Sequence, residues 1–528
     1  MDTNYVIAYD IGSTGNKTCL YRLDSGITLL AEAACKYPLS FTANGGVEQN
    51  PDDWWESMRK TTGEVLRLAH IDGKAVSAVS FCSQMQGLVL LDKNGAVLRP
   101  AMSYMDKRAT QQFDSWRSGL FTVAGINVRK LLVSLAETGV VAASAKDPVF
   151  RYAWVRENEP ELFKKIYKWL DVKDYLLFRA TGCYVSSEDS AFGTMLYSTR
   201  KNSWSKTVCT LHGVHYDHLA QIIKCTDQVG NLTEEAAAQL GLDTGCKVFS
   251  GGGDCSLIGI GAGCTKTGDT HVYIGTSGWV STVVDKQVVD AVSMIASVTG
   301  AIPGRYNYFA EMETSGKCIE WARDHLVADG IGAFMQTGES AGRNTDDLIE
   351  LMCKAAALVP AGSNGVIFMP WLLGNRCPFE DADCRGGFFN IGLTTKKEDL
   401  IRSVLEGILF HKRWMLECQQ KKVRTSSVIR FVGGGARSEL ICQMMADIFN
   451  MRVERTEKPQ NAGALGAAIV MAFGLGHIAS LEEAGSLITV NSACTPNQKA
   501  VASYSKNYAV FRRLYRKNKK NFAMLNRE

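Results

Sequence analysis

Two short turns of almost identical sequence have the residue types that bind phosphate. They are Ile11–Gly15 (IGSTG) and Ile274–Gly278 (IGTSG), and each lies between two apolar, strand-like runs. Glycine lets the backbone turn tightly and approach a ligand closely, and successive turn amides with hydroxyl groups surround anionic oxygens. The pair predicts two loops that hold one polyphosphate. Ordinary hairpin turns use the same residue types, so neither loop is decisive by itself.

Asp10 stands directly before the first turn, and Lys17 follows it. A carboxylate at this place could bind a Mg²⁺ ion carried by the polyphosphate, directly or through water, and we predict that Asp10 does so. The turn is not the common phosphate loop, because Gly12, Gly15 and Lys17 lack the spacing Gly-x-x-x-x-Gly-Lys-Ser/Thr. The chain also continues as a predicted strand where that motif would begin a helix.

A third motif places Asp254 directly after three glycines, Gly251–Gly253. The glycines remove side-chain bulk beside the carboxylate, so that a substrate can approach it closely. A polyol hydroxyl is a poor nucleophile, and a carboxylate that accepts its proton accelerates the attack by about 10²–10⁴-fold. We predict that Asp254 is this general base, although Gly/Asp turns are also common structural elements.

Two further segments could bind the organic parts of substrates. Gly433–Ser438 (GGGARS) joins a predicted strand to a predicted helix, and its bare backbone could pack against a flat ring. Ser83–Gly87 (SQMQG) follows a predicted strand and offers two amides around a methionine. Together with Asp106, these amides could hydrogen-bond several hydroxyls of one small polyol. Ordinary loops and strand-to-helix turns have similar compositions.

In their order along the chain, these motifs resemble those of the FGGY family of carbohydrate kinases, within the actin, hexokinase and heat-shock ATPase superfamily. The resemblance extends from Tyr5 to about Gly476 and includes the late segments Gly387–Leu393 and Arg402–Gly407. It implies an α/β fold of two actin-like (ribonuclease H-like) ATPase domains, with the active site in the cleft between them. It also implies ATP and Mg²⁺ as cofactors.

The resemblance gives each motif a role. It implies that Asp254 is the general base, that Asp10 binds the metal, and that the glycine turn near residue 434 faces the adenosine. The sugar contacts implied are Gln84, Met85, Gln86, Asp106 and Asp254. The nucleotide contacts implied are Gly12, Ser13, Thr14 and Lys17 in the first domain, and Gly275, Thr276, Ser277, Gly434, Gly435 and Ala436 in the second.

Within the family, the closest resemblance is to xylulose kinases. It rests on Gln84–Gly87, on Phe368–Leu372, and on Ser187–Ala191 leading to Trp204 and Ser205. This resemblance implies that the chain phosphorylates D-xylulose to D-xylulose 5-phosphate.

Several residues depart from the usual xylulose kinase pattern, and they lie around the predicted sugar site. Gln86 stands where those kinases usually have His, Tyr104 and Met105 where they have Trp-Asn, and Cys255 where they have Asn. Another polyol therefore stays open as the substrate: ribulose, fuculose, gluconate, a glycerol-like compound or a signalling carbohydrate. A sugar sensor that keeps the fold without catalysis also stays open.

The elements that must position these residues are alternating strands and helices. Strands are predicted at 5–10, 16–23, 27–34 and near 75–81, a helical region at about 108–180, and a strand–turn–helix unit at 428–450. This alternation predicts α/β domains with mixed sheets. We predict two domains: residues 1–258 with the sugar site and the first phosphate loop, and residues 259–528 with the ATP site.

The composition limits the function classes. A chain of 528 residues exceeds one ordinary core, and its net charge of +4 gives no electrostatic case for nucleic-acid binding. The longest apolar run, Ala464–Leu475, is too short to span a bilayer. Sixteen cysteines without a Cys-x-x-Cys pair indicate reduced thiols. We therefore predict a cytoplasmic enzyme with a sugar and ATP as partners and with no nucleic-acid or membrane partner, and we leave a homodimer open.

Three features are predicted to be structural. His212, His215 and His218 are spaced three apart, but no cysteine or carboxylate cluster lies beside them in the sequence to complete a metal site. The basic segment 512–520 is typical of a terminal amphipathic helix with a charged outer face. Trp54 and Trp55 are predicted core residues.

Overall fold

The structure, a computed structural model, describes residues 3–123, 125–327 and 345–526. Its internal contacts divide the chain into two units. Unit 1 comprises residues 1–261, 298–305 and 463–487, and unit 2 comprises residues 262–297, 306–462 and 488–528. Each unit is built on its own mixed sheet with helices, which confirms the predicted α/β fold class. No helix in the described ranges is long and apolar enough to cross a membrane.

Unit 1 contains one large sheet and several two- or three-stranded sheets. The strands of the first 261 residues are β1 (Asn4–Ile11), β2 (Gly15–Leu23), β3 (Ile27–Lys36), β4 (Ser40–Phe41), β5 (Val47–Gln49), β6 (Val76–Ser83), β7 (Val89–Leu91), β8 (Ala101–Met102), β9 (Thr122–Val123), β10 (Ile126–Asn127), β11 (Lys168–Leu170), β12 (Val185–Ser187), β13 (Tyr197–Ser198), β14 (Ser203–Trp204), β15 (Gln221–Ile223), β16 (Gln228–Asn231), β17 (Lys247–Phe249) and β18 (Gly252–Gly253). The large sheet has the order β16-β17-β6-β1-β2-β3, and β18 pairs with the end of β6.

Helices connect these strands. In the same part of the chain they are α1 (Pro51–Ala69), α2 (Thr110–Arg117), α3 (Val128–Thr138), α4 (Pro148–Asn158), α5 (Pro160–Phe163), α6 (Val172–Thr181), α7 (Glu188–Gly193), α8 (Lys206–His212), α9 (Glu234–Leu240) and α10 (Asp254–Gly261). The predicted helical region at 108–180 thus contains helices α2 to α6, but β9, β10 and β11 interrupt it.

The long helix α1 shows how local sequence places an element. The side chain of Asn50 accepts a hydrogen bond from Asp52 N, and Pro51 is the first helical residue, where its missing N–H costs no hydrogen bond. Trp54 and Trp55 are 1% and 5% exposed, which confirms that they belong to the core. They pack in the hydrophobic cluster that also contains Tyr9 of β1, so α1 covers the strand that leads to the first turn.

Unit 2 is built around an eight-stranded sheet. The strands after residue 261 are β19 (Thr270–Ile274), β20 (Gly278–Val284), β21 (Val289–Asp290), β22 (Ile295–Thr299), β23 (Tyr306–Met312), β24 (Ile367–Met369), β25 (Gly387–Phe389), β26 (Val428–Val432), β27 (Arg452–Thr456) and β28 (Val490–Cys494). The helices after residue 261 are α11 (Gly316–Ala322), α12 (Thr345–Ala357), α13 (Lys397–Gln420), α14 (Glu439–Phe449), α15 (Ala462–Gly474), α16 (Ala484–Leu487) and α17 (Gln498–Asn526). Of these, α16 and nearly all of α15 lie in unit 1. The sheet order is β21-β22-β23-β20-β19-β26-β27-β28.

The division of the chain differs from the continuous ranges 1–258 and 259–528 that the sequence suggests. The first segment of unit 1 ends at Gly261, and α15 lies almost entirely in unit 1. Small residues on α15 explain this: a Cβ atom at Gly466 would collide with the backbone of Leu257, and one at Gly474 with the Phe249 ring. A late helix with close backbone approach therefore joins the first unit.

Candidate active site

The first turn joins β1 to β2, and its backbone carbonyl groups accept hydrogen bonds from within the protein. Gly12 N–H donates to Gly15 O at 2.9 Å, and the Tyr37 hydroxyl donates to Gly12 O. The side-chain amide of Gln49 donates to Ser13 O at 2.9 Å, and Tyr37 N–H donates to Thr14 O at 3.2 Å. Because these carbonyls are already bonded, an anion at the turn would meet amide and hydroxyl donors instead.

Asp10 and Lys17 face each other across the base of this turn. They are paired residues of β1 and β2, and Lys17 Nζ lies 3.0 Å from Asp10 Oδ2. Asp10 is 8% exposed. A Cβ atom at Gly463, in the first turn of α15, would lie 2.9 Å from the Asp10 carboxyl carbon, so the glycine allows the helix to approach the carboxylate.

A metal at this place would have one carboxylate ligand from Asp10. The described residues contain no cluster of three or more metal-binding side chains. Mg²⁺ usually keeps several waters and binds through one or two carboxylates together with substrate phosphates. The donor set at Asp10 fits that pattern, and it does not form an all-protein metal cage.

Three parallel strands bring the predicted metal ligand and the predicted base to one edge of the sheet of unit 1. Asp10 of β1 is paired with Cys82 of β6, and Cys82 is paired with Gly252 of β18. The next residues along the chain are the first turn, Gln84 and Asp254. Neighbouring strands lie about 4.8 Å apart, so the backbones of β1 and β18 lie about 10 Å apart.

The electrostatics of Cys82 agree with this arrangement. Burial raises the pKa of its thiol well above the usual value, and the carboxylates of Asp10 and Asp254 both raise it further. The predicted metal ligand and the predicted base are therefore both near enough to raise the pKa of the Cys82 thiol.

Asp254 is half-buried at the beginning of α10, and its position depends on the glycine before it. Gly253 N–H donates to the buried Asp189 carboxylate at 2.7 Å. A Cβ atom at Gly253 would collide with the side chain of Met85. The Cys255 thiol contacts the same methionine, with 3.1 Å between the two sulfur atoms. Met85 is thus packed against the residues on both sides of Asp254.

The predicted sugar segment Gln84–Gln86 is fixed by its backbone. Gln86 has a positive φ of 62°, and its N–H donates to Asp171 at 2.9 Å. Gly87 N–H donates to the same carboxylate at 2.6 Å, and Arg151 donates to Gln86 O. Burial and, to a smaller extent, the neighbouring Asp174 carboxylate raise the pKa of Asp171 to about 7, against the opposing effect of the backbone donors.

The side chains of this segment differ in their surroundings. The Gln84 amide donates to the side chain of Gln49 at 2.7 Å, while the Gln86 amide donates to Gly193 O at 3.2 Å. Gln84 and Met85 line a small cavity, together with Gln49, Trp54 and Tyr104. The structure thus brings Gln84, Met85 and Gln86 to the strand end that also leads to Asp254.

Asp106 has a different environment from the rest of the predicted sugar site. Its side chain is fully buried and accepts hydrogen bonds from Val47 N at 2.9 Å and from Arg108, the shortest at 2.7 Å. Arg108 also contacts Glu48, so the carboxylate belongs to a buried ionic network. Its contact with a sugar stays a prediction.

In the second turn, which lies in unit 2, the backbone carbonyls also accept hydrogen bonds from within the protein. Gly275 N–H donates to Ser277 O at 3.0 Å, and Gly316 N–H donates to Gly275 O at 2.7 Å. Thr276 O accepts from the N–H groups of Ser315 and Lys317. The segment that begins α11 therefore bonds the carbonyls of this turn and leaves amide and hydroxyl donors for a ligand.

The predicted adenosine turn lies beside the second phosphate turn. β19 and β26 are parallel, with Tyr273 paired to Val432, so both turns follow strands that end at one edge. Gly433 has a φ of 94°, and a Cβ atom there would lie 2.6 Å from Ile274 O. Unit 2 thus brings Gly275–Ser277 and Gly434–Ala436 together.

Several residues of these sites have no signal in a short motif. Asp171, Asp189 and Arg151 position the backbone from distant parts of the chain. Lys412 lies under the second turn in the middle of the apolar face of α13. A lysine at a position of apolar periodicity is a signal that sequence reading could use, whereas the other three have none.

The predicted structural role of the histidines agrees with their contacts. His212 is buried and stacks on Trp116 with ring centroids 4.7 Å apart, and burial lowers its pKa to about 3. His218 hydrogen-bonds the Tyr152 hydroxyl and stacks on His215. These histidines belong to an aromatic cluster in unit 1.

Comparison with known proteins supplies independent findings. The model of the N-terminal domain of the FGGY family of carbohydrate kinases matches residues 5–261, and the model of the C-terminal domain matches residues 271–475. A xylulose kinase of Bacillus subtilis is 29% identical over 512 residues, which cover 97% of this chain and 96% of that protein. A gluconokinase of the same species is 28% identical over 520 residues, with coverages of 97% and 96%.

Solved structures show the same similarity. A ligand-bound xylulose kinase from Lactobacillus acidophilus superposes with a TM-score of 0.85 at 25% identity and covers 99% of this chain and 100% of that one. The match extends over both units.

Proposed function

Because this chain belongs to the FGGY family of carbohydrate kinases and is therefore a phosphotransferase, we propose that it transfers the γ-phosphoryl group of Mg-ATP to a hydroxyl of D-xylulose. The product is D-xylulose 5-phosphate. The observation that supports the proposal most is the shared strand edge in unit 1. There, Asp10 and the first turn, Gln84–Gln86 and Asp254 follow three neighbouring parallel strands.

Asp254 is the proposed general base. It follows the glycine whose backbone is fixed by Asp189, so its carboxylate has a defined starting position. In the proposed reaction it accepts the proton of the sugar hydroxyl as that oxygen attacks the γ-phosphorus, and the terminal P–O bond of ATP breaks to release ADP.

The two turns are the proposed phosphate-binding loops. The proposed phosphate contacts of unit 1 are Gly12, Ser13, Thr14 and Lys17, and those of unit 2 are Gly275, Thr276 and Ser277. Gly434, Gly435 and Ala436 pack against the adenosine. Asp10 holds Mg²⁺, which neutralises phosphate charge when it is bound. The carbonyls of both turns are hydrogen-bonded within the protein, so a ligand there would meet amide and hydroxyl donors. Phosphate oxygens require such donors, which supports this assignment.

The chemistry of Gln84, Met85 and Gln86 favours a neutral sugar. Two amides and a thioether offer hydrogen bonds and apolar contact without charge, whereas a carboxylated sugar calls for charge-assisted bonds from arginine or lysine. Since Arg151 is fully buried and bonded to the carbonyls of Met102, Ser103 and Gln86, it does not serve that purpose. The uncharged side chains therefore favour D-xylulose over gluconate as the proposed substrate.

Gluconate is the second candidate, because the gluconokinase relative is nearly as similar as the xylulose kinase. A panel of sugars tests both in one experiment. ADP formation is measured with D-xylulose, D-ribulose, L-fuculose, glycerol and gluconate at equal concentration, and kcat/KM values are compared. The proposal expects the highest value with D-xylulose. A higher value with gluconate would replace the substrate, and no ADP with any sugar would favour a sensor.

A further inference from the structure

The long helix α13 has a lysine on its buried face. Lys412 follows the spacing of three and four residues that defines this face, and it has no exposed surface. The other members of the face are Ile401, Leu405, Ile408, Met415 and Gln419. Burying an ammonium group is costly, whereas methionine or leucine would fill such a position without that cost. Packing alone therefore does not explain a lysine at this position.

Lys412 lies directly beneath the second turn. A Cβ atom built on Gly278, the last residue of that turn, would collide with Lys412 Nζ and would lie 2.7 Å from Ser315 Oγ. Both of these polar atoms are buried, and neither has a hydrogen-bond partner in the part of the chain that the structure describes. Two unused donors thus face the underside of the turn that is the proposed phosphate loop.

A buried lysine of unit 1 shows how the same group is accommodated when its role is structural. Lys173 is fully buried, and its Nζ donates to Asp174 Oδ1 at 2.7 Å. Burial lowers the pKa of Lys173, but the carboxylates of Asp174 and Asp189 raise it more, so that it lies above its usual value. No described carboxylate forms an ion pair with Lys412.

The surroundings of Lys412 bring the pKa of its amine near neutral pH, so that its charge changes with pH in this range. Burial lowers its pKa to about 7, opposed by the Cys318 thiol of α11. That thiol is neutral because burial raises its pKa to about 12, and His411 is neutral because burial lowers its pKa to about 3. The strand β20 has no titratable side chain, and on β23 Glu311 pairs with Arg376, while Tyr308 is neutral because burial raises its pKa.

We propose that Lys412 is a positioning residue of the second phosphate loop, and that a phosphate bound there draws a proton onto its amine. The proposal rests on the proposed function, which assigns the nucleotide phosphates to this loop. Lys412 is too buried to contact the nucleotide, so it acts through the backbone of Gly278 and the hydroxyl of Ser315.

The coupling follows from charge. Phosphate charge favours the ammonium form through an interior of low dielectric constant. By reciprocity, the ammonium form favours bound phosphate to the same extent. The proton comes from the solvent when the nucleotide binds and returns to it when the nucleotide leaves.

Proton uptake is the direct test. Mg-ADP is titrated calorimetrically into the whole protein, near neutral pH, in two buffers with different heats of ionisation, and the difference gives the protons exchanged. Wild-type protein should take up a fraction of one proton more than Lys412→Met. The variant should bind Mg-ADP roughly tenfold more weakly at about pH 6, where the lysine is charged, and with a smaller deficit at about pH 8.5. Lys421→Met, an exposed lysine at the end of the same helix, should behave like the wild type.

The outcomes separate the two proposals. Equal proton uptake and equal affinity in wild type and Lys412→Met would overturn the role of Lys412 and leave the kinase proposal standing. Failure of the wild type to bind Mg-ADP at all would overturn both. Lys412→Met should melt no lower than the wild type, because it removes a buried charge. A much lower melting temperature with unchanged proton uptake would assign the lysine to packing alone.

Discussion

The two copies of the Ile-Gly-(Ser/Thr)₂-Gly turn have similar backbones and opposite electrostatics. In the first, a carboxylate lies at the base of the turn, where Asp10 pairs with Lys17 at 3.0 Å. In the second, the corresponding position is Tyr273, whose ring stacks on Trp279 at 4.0 Å, and the nearby charge is the buried amine of Lys412. In both turns the carbonyls are bonded within the protein.

One turn sequence can therefore serve two electrostatic tasks. The turn itself presents donors, and the residues beneath it decide whether a cation or an anion is favoured beside the phosphates. In the proposed assignment, Asp10 favours a metal at the first turn, and Lys412 favours phosphate charge at the second. The comparison also separates the proposed metal ligand from the proposed base, since Asp254 belongs to neither turn.

The largest expected effect tests that separation. Asp254→Asn removes the proposed base but keeps the size of the side chain, so kcat should fall by about 10²–10⁴-fold. Mg-ADP affinity should change little, because neither turn is altered. Steady-state kinetics and calorimetry measure the two quantities. Asp243→Asn, at an exposed turn in unit 1, is the matched control and should retain full activity. Turnover near the wild-type value in Asp254→Asn would remove the assignment of the base.

The charge of the first turn is tested by a pair of variants. Asp10→Asn should raise the Mg²⁺ concentration needed for half-maximal activity by about 10–100-fold, since it removes the carboxylate that is proposed to hold the ion. Lys17→Met removes the cation that pairs with that carboxylate and should not raise the Mg²⁺ requirement. Activity measured as a function of Mg²⁺ at saturating ATP gives both values. Identical requirements in Asp10→Asn and wild type would contradict the metal assignment.

The sequence could predict the turns because their signals are local. Strands β1, β2, β3 and β6 lie within a few residues of the ranges predicted from apolar runs, and the helix of the strand–turn–helix unit predicted at 428–450 is α14. Glycine spacing marked the places where the backbone must turn or approach another element, as at Gly253 and Gly433. Short-range patterns of this kind need no knowledge of tertiary contacts.

What the sequence could not show depends on contacts between distant residues. Asp106 is a predicted sugar contact beside the methionine segment, but the sequence does not show that its carboxylate is also bonded to Arg108 and Val47 in a buried network. Asp171 positions Gln86 from 85 residues away in the chain. The helix α15 joins unit 1 through contacts of its glycines with Leu257 and Phe249. Such pairings become visible only in the folded chain.

The charge beneath the second turn predicts a pH dependence of stability. The unfolded state holds the Lys412 proton up to about pH 10.5, whereas the folded state releases it above about pH 7. The unfolded state therefore binds more protons in this window, and the contribution of Lys412 to the free energy of unfolding rises with pH. Between about pH 7 and 9, the rise should be about 2 kcal/mol larger in wild type than in Lys412→Met.

Urea unfolding at several pH values measures this difference. Comparing each wild-type value with that of Lys412→Met at the same pH cancels the titration of the buried cysteines, which both proteins share. Parallel curves for the two proteins would mean that Lys412 keeps its ordinary pKa in the folded state, and the electrostatic contrast between the turns would then disappear.

The smallest expected effect concerns the adenosine turn beside the second phosphate turn. A Cβ atom at Gly434 meets no other atom within 4 Å, so Gly434→Ala should change the free energy of unfolding by less than about 0.5 kcal/mol. If the adenine ring packs on this bare backbone, the added methyl group should still weaken ATP binding by about 1 kcal/mol, or roughly fivefold. Gly275→Ala is the contrasting variant, because its Cβ would lie 2.6 Å from the Tyr273 ring and should destabilise the fold by about 1–3 kcal/mol. Unchanged ATP affinity in a stable Gly434→Ala protein would place the adenosine elsewhere, and the second turn would then hold phosphate without a ring beside it.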